Sequence, residues 1–124
     1  MINPIYTLPD MSFVGGESQT FLFNLLTSAG KSFNASDCTV AFAIVNYANK
    51  NGTPILIKYA DIIMGEDGLM SIASVELLPE DTIHLYGRYV YQLSICDSYG
   101  KTEIPGQGII DITRNIHAEF VTAR

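Results

Sequence analysis

Apolar and polar positions alternate with period two along much of this chain, and short Gly-containing breaks divide it into strand-length stretches. In Ser18 to Thr27, Phe21, Phe23 and Leu25 fall on one side of an extended ribbon and Asn24 on the other, which predicts a half-buried strand. Thr39 to Tyr47 places Val40, Phe42 and Ile44 on one face and Ala41, Ala43 and Val45 on the other. Apolar residues on both sides predict a central strand with both faces covered. The segment Ala48 to Pro54 returns the chain, Asn51-Gly52 being suited to the positive φ values of a tight hairpin, and Ile55 to Tyr59 is the expected partner strand. The clearest alternation is Arg88 to Cys96, where Tyr89, Tyr91, Leu93 and Ile95 share one face, while Arg88, Gln92 and Ser94 lie opposite with Val90 among them.

Three further elements follow. Leu69 to Leu78 and Gly108 to Thr113 read as strands, and Pro79 to Ile83 as a single helical turn with Pro79 at its first position. Turns are expected at Gly15-Gly16, Ala29-Gly30-Lys31, Asp67-Gly68, Gly87, Asp97-Ser98-Tyr99-Gly100 and Gly106-Gln107-Gly108. Ile116 to Arg124 fits two patterns: Ile116 and Phe120 share a helical face, and Phe120-Val121-Thr122 also suits a strand. No stretch sustains helical periodicity over three turns, so the pattern predicts an all-β antiparallel sandwich or barrel, one domain over residues 1–124 with 114–124 as an exit segment.

Composition narrows the class. At 124 residues and 13.6 kDa the chain can build one core, and 48% hydrophobic against 16% charged residues, with mean hydropathy +0.21, excludes intrinsic disorder. Seven Lys plus Arg against thirteen Asp plus Glu give a formal net charge of -6, which repels a nucleic-acid backbone overall. A sum does not exclude a local basic patch, but no nucleic acid is expected as partner. Cys38 and Cys96 are too few for a disulfide framework and read as small reduced hydrophobes, unless they sit on facing sheets and pair. Met1 to Tyr6 lacks the basic first region of a secretory signal, so the chain is expected to start mature. Apolar runs such as Val40 to Val45 are far short of the roughly 20 residues a spanning helix needs, so no membrane insertion is expected.

Motifs for chemistry are sparse. Gly100-Lys101-Thr102 resembles the end of a phosphate-binding loop, but Ile95 stands where that loop needs its first Gly. His84 and His117 are isolated and neither Cys has a neighbour at two-residue spacing, so no metal, cofactor or nucleophilic site is expected; the histidines read as surface or satisfied side chains. Asn34-Ala35-Ser36 and Asn51-Gly52-Thr53 match the glycosylation sequon and read as turn chemistry. One section leans: from Asp61 to Asp81 the charges are all acidic. This predicts a solvated acidic face, or else a surface that docks a basic partner or loosely holds a cation, with Glu66, Asp67, Glu76, Glu80 and Asp81 as the candidate partner-binding residues.

Gly87-Arg88-Tyr89-Val90-Tyr91 resembles the start of the late central strand of immunoglobulin-like sandwiches, in which a Tyr hydroxyl bonds back to the backbone and pins a corner. Tyr91 stands where disulfide-linked members carry Cys. Together with Phe21-Leu22-Phe23, Ser28-Ala29-Gly30-Lys31, Phe33 to Phe42, Glu66-Asp67-Gly68, Asp97 to Gly100 and Gly108 to Ile112, the order resembles the N-terminal domain of the phage baseplate upper protein family. The resemblance implies an immunoglobulin-like β-sandwich that serves as a non-enzymatic structural component of a tailed-phage or prophage virion. Its place would be the baseplate or tail adaptor, assembled in the bacterial host cytoplasm, and its partners would be other tail or baseplate proteins and further copies of itself. The competing expectation is a carbohydrate-binding or adhesive module of a bacterial cell surface, with Tyr47, Tyr59, Tyr86 and Tyr99 near turns where they could stack on sugars.

Overall fold

The computed structural model describes residues 10–26, 31–49 and 51–122. The expected turn at Ala29-Gly30 and the opening Met1 to Tyr6 lie outside the described residues. Eight strands run in chain order among those described: β1 (Met11–Val14), β2 (Gln19–Asn24), β3 (Thr39–Asn46), β4 (Leu56–Tyr59), β5 (Asp61–Met64), β6 (Met70–Leu77), β7 (Gly87–Cys96) and β8 (Thr102–Thr113). A helical turn α1 (Pro79–Thr82) precedes β7, and a second, α2 (Glu119–Thr122), follows β8. The strands form a five-stranded sheet in the order β1-β8-β7-β3-β4 and a three-stranded sheet in the order β2-β6-β5. Two sheets with chain-adjacent strands split between them make an immunoglobulin-like β-sandwich. All pairs are antiparallel except β1 with β8, which run parallel.

The period-two faces meet where the sequence places them. Val40, Phe42 and Ile44 of β3 and Tyr89, Tyr91 and Leu93 of β7 are buried against Phe23 of β2 and Ala73, Val75 and Leu77 of β6. Phe42 stands at the centre, its ring 5.4 Å from that of Tyr91 and 6.0 Å from that of Phe21. Burial pushes the Tyr91 hydroxyl above its ordinary pKa, because ionising it would place a charge in this core. Pro79 opens α1 as expected, where its missing N–H has no helical partner to lose.

The corner expected from Gly87-Arg88-Tyr89 is present. The Tyr89 hydroxyl donates to the Tyr86 carbonyl at 2.9 Å and accepts from the Tyr86 amide at 3.2 Å. Tyr89→Phe removes both bonds while keeping the ring, so a loss of about 1–2 kcal/mol is expected in urea unfolding. An unchanged midpoint would show that the hydroxyl does not pin this corner.

Several expectations are corrected. Gly106-Gln107-Gly108 is not a turn but lies inside β8, which begins at Thr102 and not at Gly108. Gly108 faces Tyr91 across the ladder and leaves room for its ring, and the register shifts between Leu93 and Ile95 beside Pro105, which has no amide to give to a ladder. Neither Asn51 nor Gly52 takes a positive φ. The β3–β4 reversal is made instead by a 3-10 turn at Tyr47–Asn49, with the Gly52 amide donating to the Asn49 carbonyl at 3.0 Å. The cysteines are free and lie at one end of the same sheet, not on facing sheets: Cys96 ends β7 opposite Thr39, and Cys38 directly precedes Thr39, the first residue of β3. Burial, followed by the nearby carboxylates of Asp37 and Asp97, raises the Cys38 pKa and keeps the thiol protonated. Of the two patterns for the C-terminal segment, the helical one holds at Glu119–Thr122, yet Ile116 and Phe120 are both exposed.

Candidate functional site

The largest departure from the sequence pattern concerns the second face of β3. Ala41, Ala43 and Val45 are expected to be covered, and among the described residues no layer covers them: all three are half-buried on the outer side of the five-stranded sheet. Register extends this face sideways. Ala41 stands opposite Tyr59 and Ala43 opposite Ile57 on β4, while Gln92 and Val90 of β7 face Ala43 and Val45 on the other side. Further out, Gln107 pairs with Gln92 and donates to its side-chain oxygen at 2.8 Å, and Ile109 pairs with Val90. The surface is therefore apolar over β4 and β3 and becomes polar across β7 and β8.

Its only charges on β7 and β8 cancel. The Arg88 guanidinium lies 2.9 Å from Asp111 on the facing strand, and that hydrogen bond holds the arginine further toward its charged form. A shallow cavity of about 150 Å³ opens on the same face, lined by Ala43, Val45, Val90, Gln92 and Gln107, with Gly52 and Pro54 contributed by the β3–β4 connection. That is below the roughly 300–1,000 Å³ of sites that enclose small molecules, and its polar side chains already bond one another, so the cavity is relief on a contact surface more than a ligand pocket.

The acidic candidates are not gathered on one surface. Glu66 and Asp67 lie in the β5–β6 turn, whereas Glu76, Glu80 and Asp81 lie at the other end of β6, whose eight residues span about 25 Å. Two of the five serve the fold. Asp67 accepts from the Leu69 amide at 3.0 Å, and a hydrogen bond from Ser32 holds its carboxyl below the usual carboxylate range. Asp81 accepts from the Leu78 amide at 2.7 Å and forms an ion pair with Lys58 of β4 at 2.8 Å. Lys58 precedes the acidic run in sequence, so reading that run alone does not reveal the neutralisation.

The four tyrosines considered for sugar stacking are all exposed but fall at two ends of the five-stranded sheet. Tyr47 and Tyr86 flank the start of β7, where Arg88 and Arg114 lie over their rings at 5.7 and 5.8 Å, respectively. Tyr59 and Tyr99 lie toward its far end, beyond Ala41 and in the β7–β8 turn. In that turn the Asp97 carboxylate accepts from the Tyr99 and Lys101 amides, and Gly100 takes a φ of 84°, so Gly100-Lys101-Thr102 is hairpin structure. Asn34 accepts from the Ser36 amide at 2.9 Å, the turn chemistry expected of that sequon. His84 and His117 are exposed, and among the described residues no three His, Cys, Asp or Glu side chains are grouped to hold a metal ion. No described helix is long and apolar enough to cross a membrane.

No protein-family model and no curated protein matches the chain. Among solved structures, it is similar to part of the 2,6-sialyltransferase of Photobacterium sp. JT-ISH-224, in a ternary complex with CMP and lactose, at 12% identity and a TM-score of 0.34. The alignment covers 88% of this chain and 18% of that one, so the chain spans less than a fifth of the enzyme's length. A likeness at that level carries no site or activity across.

Proposed function

We propose that this chain is a non-enzymatic structural module of a tailed-phage or prophage virion, part of the baseplate or tail adaptor, and that it acts through protein–protein contacts. The observation that carries this reading is the open outer face of β4 and β3, where Ile57, Tyr59, Ala41, Ala43 and Val45 form an apolar, uncharged surface on a rigid sheet. The pinned Tyr89 corner and the two-sheet order support the immunoglobulin-like architecture on which the family resemblance rests. The acidic groups at the ends of β6 are secondary contact points for basic partners.

The test is composition of the particle. After prophage induction in the host, the chain is expected in purified virions at a fixed ratio to tail proteins by mass spectrometry. Particles that lack it overturn the reading. The second reading, a surface module that binds carbohydrate, draws on the exposure of all four tyrosines. Their separation along the sheet means that each end would have to bind a sugar alone, without the Trp that such platforms favour. A glycan array reads it directly.

A further inference from the structure

Each open sheet has two edges, and proteins guard such edges against unwanted strand addition with charge, bulges or brevity. In the three-stranded sheet, β5 begins with Asp61 and its register shifts between Ile63 and Met64, while β2 shows Thr20 and Asn24 beside Leu22. In the five-stranded sheet, β1 and β4 are both four residues long, and on β1 the Val14 amide is capped by the Glu17 carboxylate at 2.7 Å. The β4 edge differs. It pairs with β3 on one side and with no strand among the described residues on the other, and Ile55, Ile57 and Tyr59 are 48%, 51% and 71% exposed. Its single charge, Lys58, points to the inner side opposite Phe42 and is neutralised there by Asp81 of α1. The cation that would ordinarily protect this edge is thus withdrawn from it.

We infer that β4 is a self-association edge: two copies of this chain pair their β4 strands antiparallel about a two-fold axis at Ile57, joining two five-stranded sheets into one continuous sheet. The inference rests on the reading of the chain as a contact module and names the surface it uses. The Ala60 amide donates to the Val40 carbonyl at 2.8 Å, so ladder alternation turns the backbone groups of Lys58 toward β3 and those of Ile57 and Tyr59 toward the free edge. A two-fold at Ile57 sets Ile57 opposite its own copy as the hydrogen-bonded pair. It also brings Tyr59 of each copy beside Ile55 of the other, just before β4, where the Ile55 amide is already given to the Ile44 carbonyl at 2.9 Å; the backbone pairing therefore centres on Ile57, with these β-branched and aromatic side-chain contacts beside it.

Charge selects the occupant. A chain of net charge -6 repels its copies over most of its surface. On β4 the one charge, Lys58, is compensated within the chain by Asp81, so this edge meets an identical one without repulsion. A basic partner would instead be drawn to Glu66, Glu76 and Glu80.

Sedimentation or light scattering of the purified chain over a concentration series tests this without any phage component. The wild-type mass is expected to climb from 13.6 kDa toward twice that value. Ile57→Lys, which restores a charge to the edge, and Ile57→Pro, which removes its outward donor, are each expected to raise the dimer dissociation constant at least about tenfold, with unfolding midpoints showing that both variants fold. Ile63→Lys on the β5 edge is expected to leave association unchanged. A wild-type chain that stays monomeric at every concentration overturns the inference and leaves the edge to a different partner. A dimer indifferent to both Ile57 variants also overturns it by placing the contact elsewhere. Neither result decides whether the chain occurs in virions, which particle composition reads separately.

Discussion

Phe42→Ala is expected to remove about 3–5 kcal/mol of folding stability, a fifth or more of the roughly 5–15 kcal/mol that holds a domain of this size. Phe42 is fully buried on β3, and its ring touches both layers of the sandwich: Phe21 at 6.0 Å and Phe23 at 6.4 Å from the three-stranded sheet, and Tyr91 at 5.4 Å from its own. Truncation removes apolar surface from the interior and leaves a cavity that three neighbouring rings cannot close without leaving their rotamers. Phe42→Leu keeps most of the volume and should cost well under half as much. Urea unfolding measures both, and an unchanged slope shows that the native and unfolded states stay comparable. A cost below about 1 kcal/mol for Phe42→Ala would mean that the two sheets are not held together at this point.

The same strand shows how far sequence reading reaches. Period two assigns Val40, Phe42 and Ile44 to the core because a one-residue slip would turn all three to solvent, and the structure keeps that register. For the opposite face the pattern is ambiguous: Ala41, Ala43 and Val45 suit either a covered interior or an open contact surface, since both remove apolar atoms from water only when a partner is present. Hydropathy cannot say whether that partner is the chain's own layer or another molecule. The two strands that the pattern does not reveal, β1 and β5, are four residues each, too short for alternation to stand out, and β5 reads Asp61-Ile62-Ile63-Met64 without any alternation. Gly108 misleads for a different reason. Two glycines flanking Gln107 signal a turn, but here the missing side chain of Gly108 accommodates the Tyr91 ring, a tertiary cause that the local sequence does not carry.

The acidic candidates fail to converge for a topological reason. Adjacency in sequence between Asp61 and Asp81 suggests adjacency in space, but an eight-residue strand lies between the two groups and carries them to opposite ends of the sheet. The ion pair of Asp81 with Lys58 links α1 to β4 and therefore depends on where α1 sits.

That position is set by Gly15, and Gly15→Ala is expected to cost about 3 kcal/mol or more. A Cβ at residue 15 would lie 2.6 Å from the Thr82 carbonyl oxygen and 3.0 Å from that of Leu85. Both are backbone atoms, so no rotamer change relieves the overlap, and either α1 or the β1–β2 turn must move. Both are tightly held. The Gly15 amide donates to Thr113 at 2.9 Å, Asn115 donates to the Gly15 carbonyl at 2.7 Å, and the Gly16 amide donates to the buried Thr82 hydroxyl at 2.9 Å. Gly68→Ala provides the contrast. Gly68 has a φ of 81° with nothing within 4 Å of an added Cβ, so its substitution carries only the backbone term, about 1–2 kcal/mol. If the steric argument is right, Gly15→Ala unfolds at a lower urea concentration than Gly68→Ala although residue 15 needs no positive φ. Equal midpoints would show that α1 yields freely, and its hold on Lys58, and with it the uncharged β4 edge, would then be a loose contact and not a fixed feature of the sandwich.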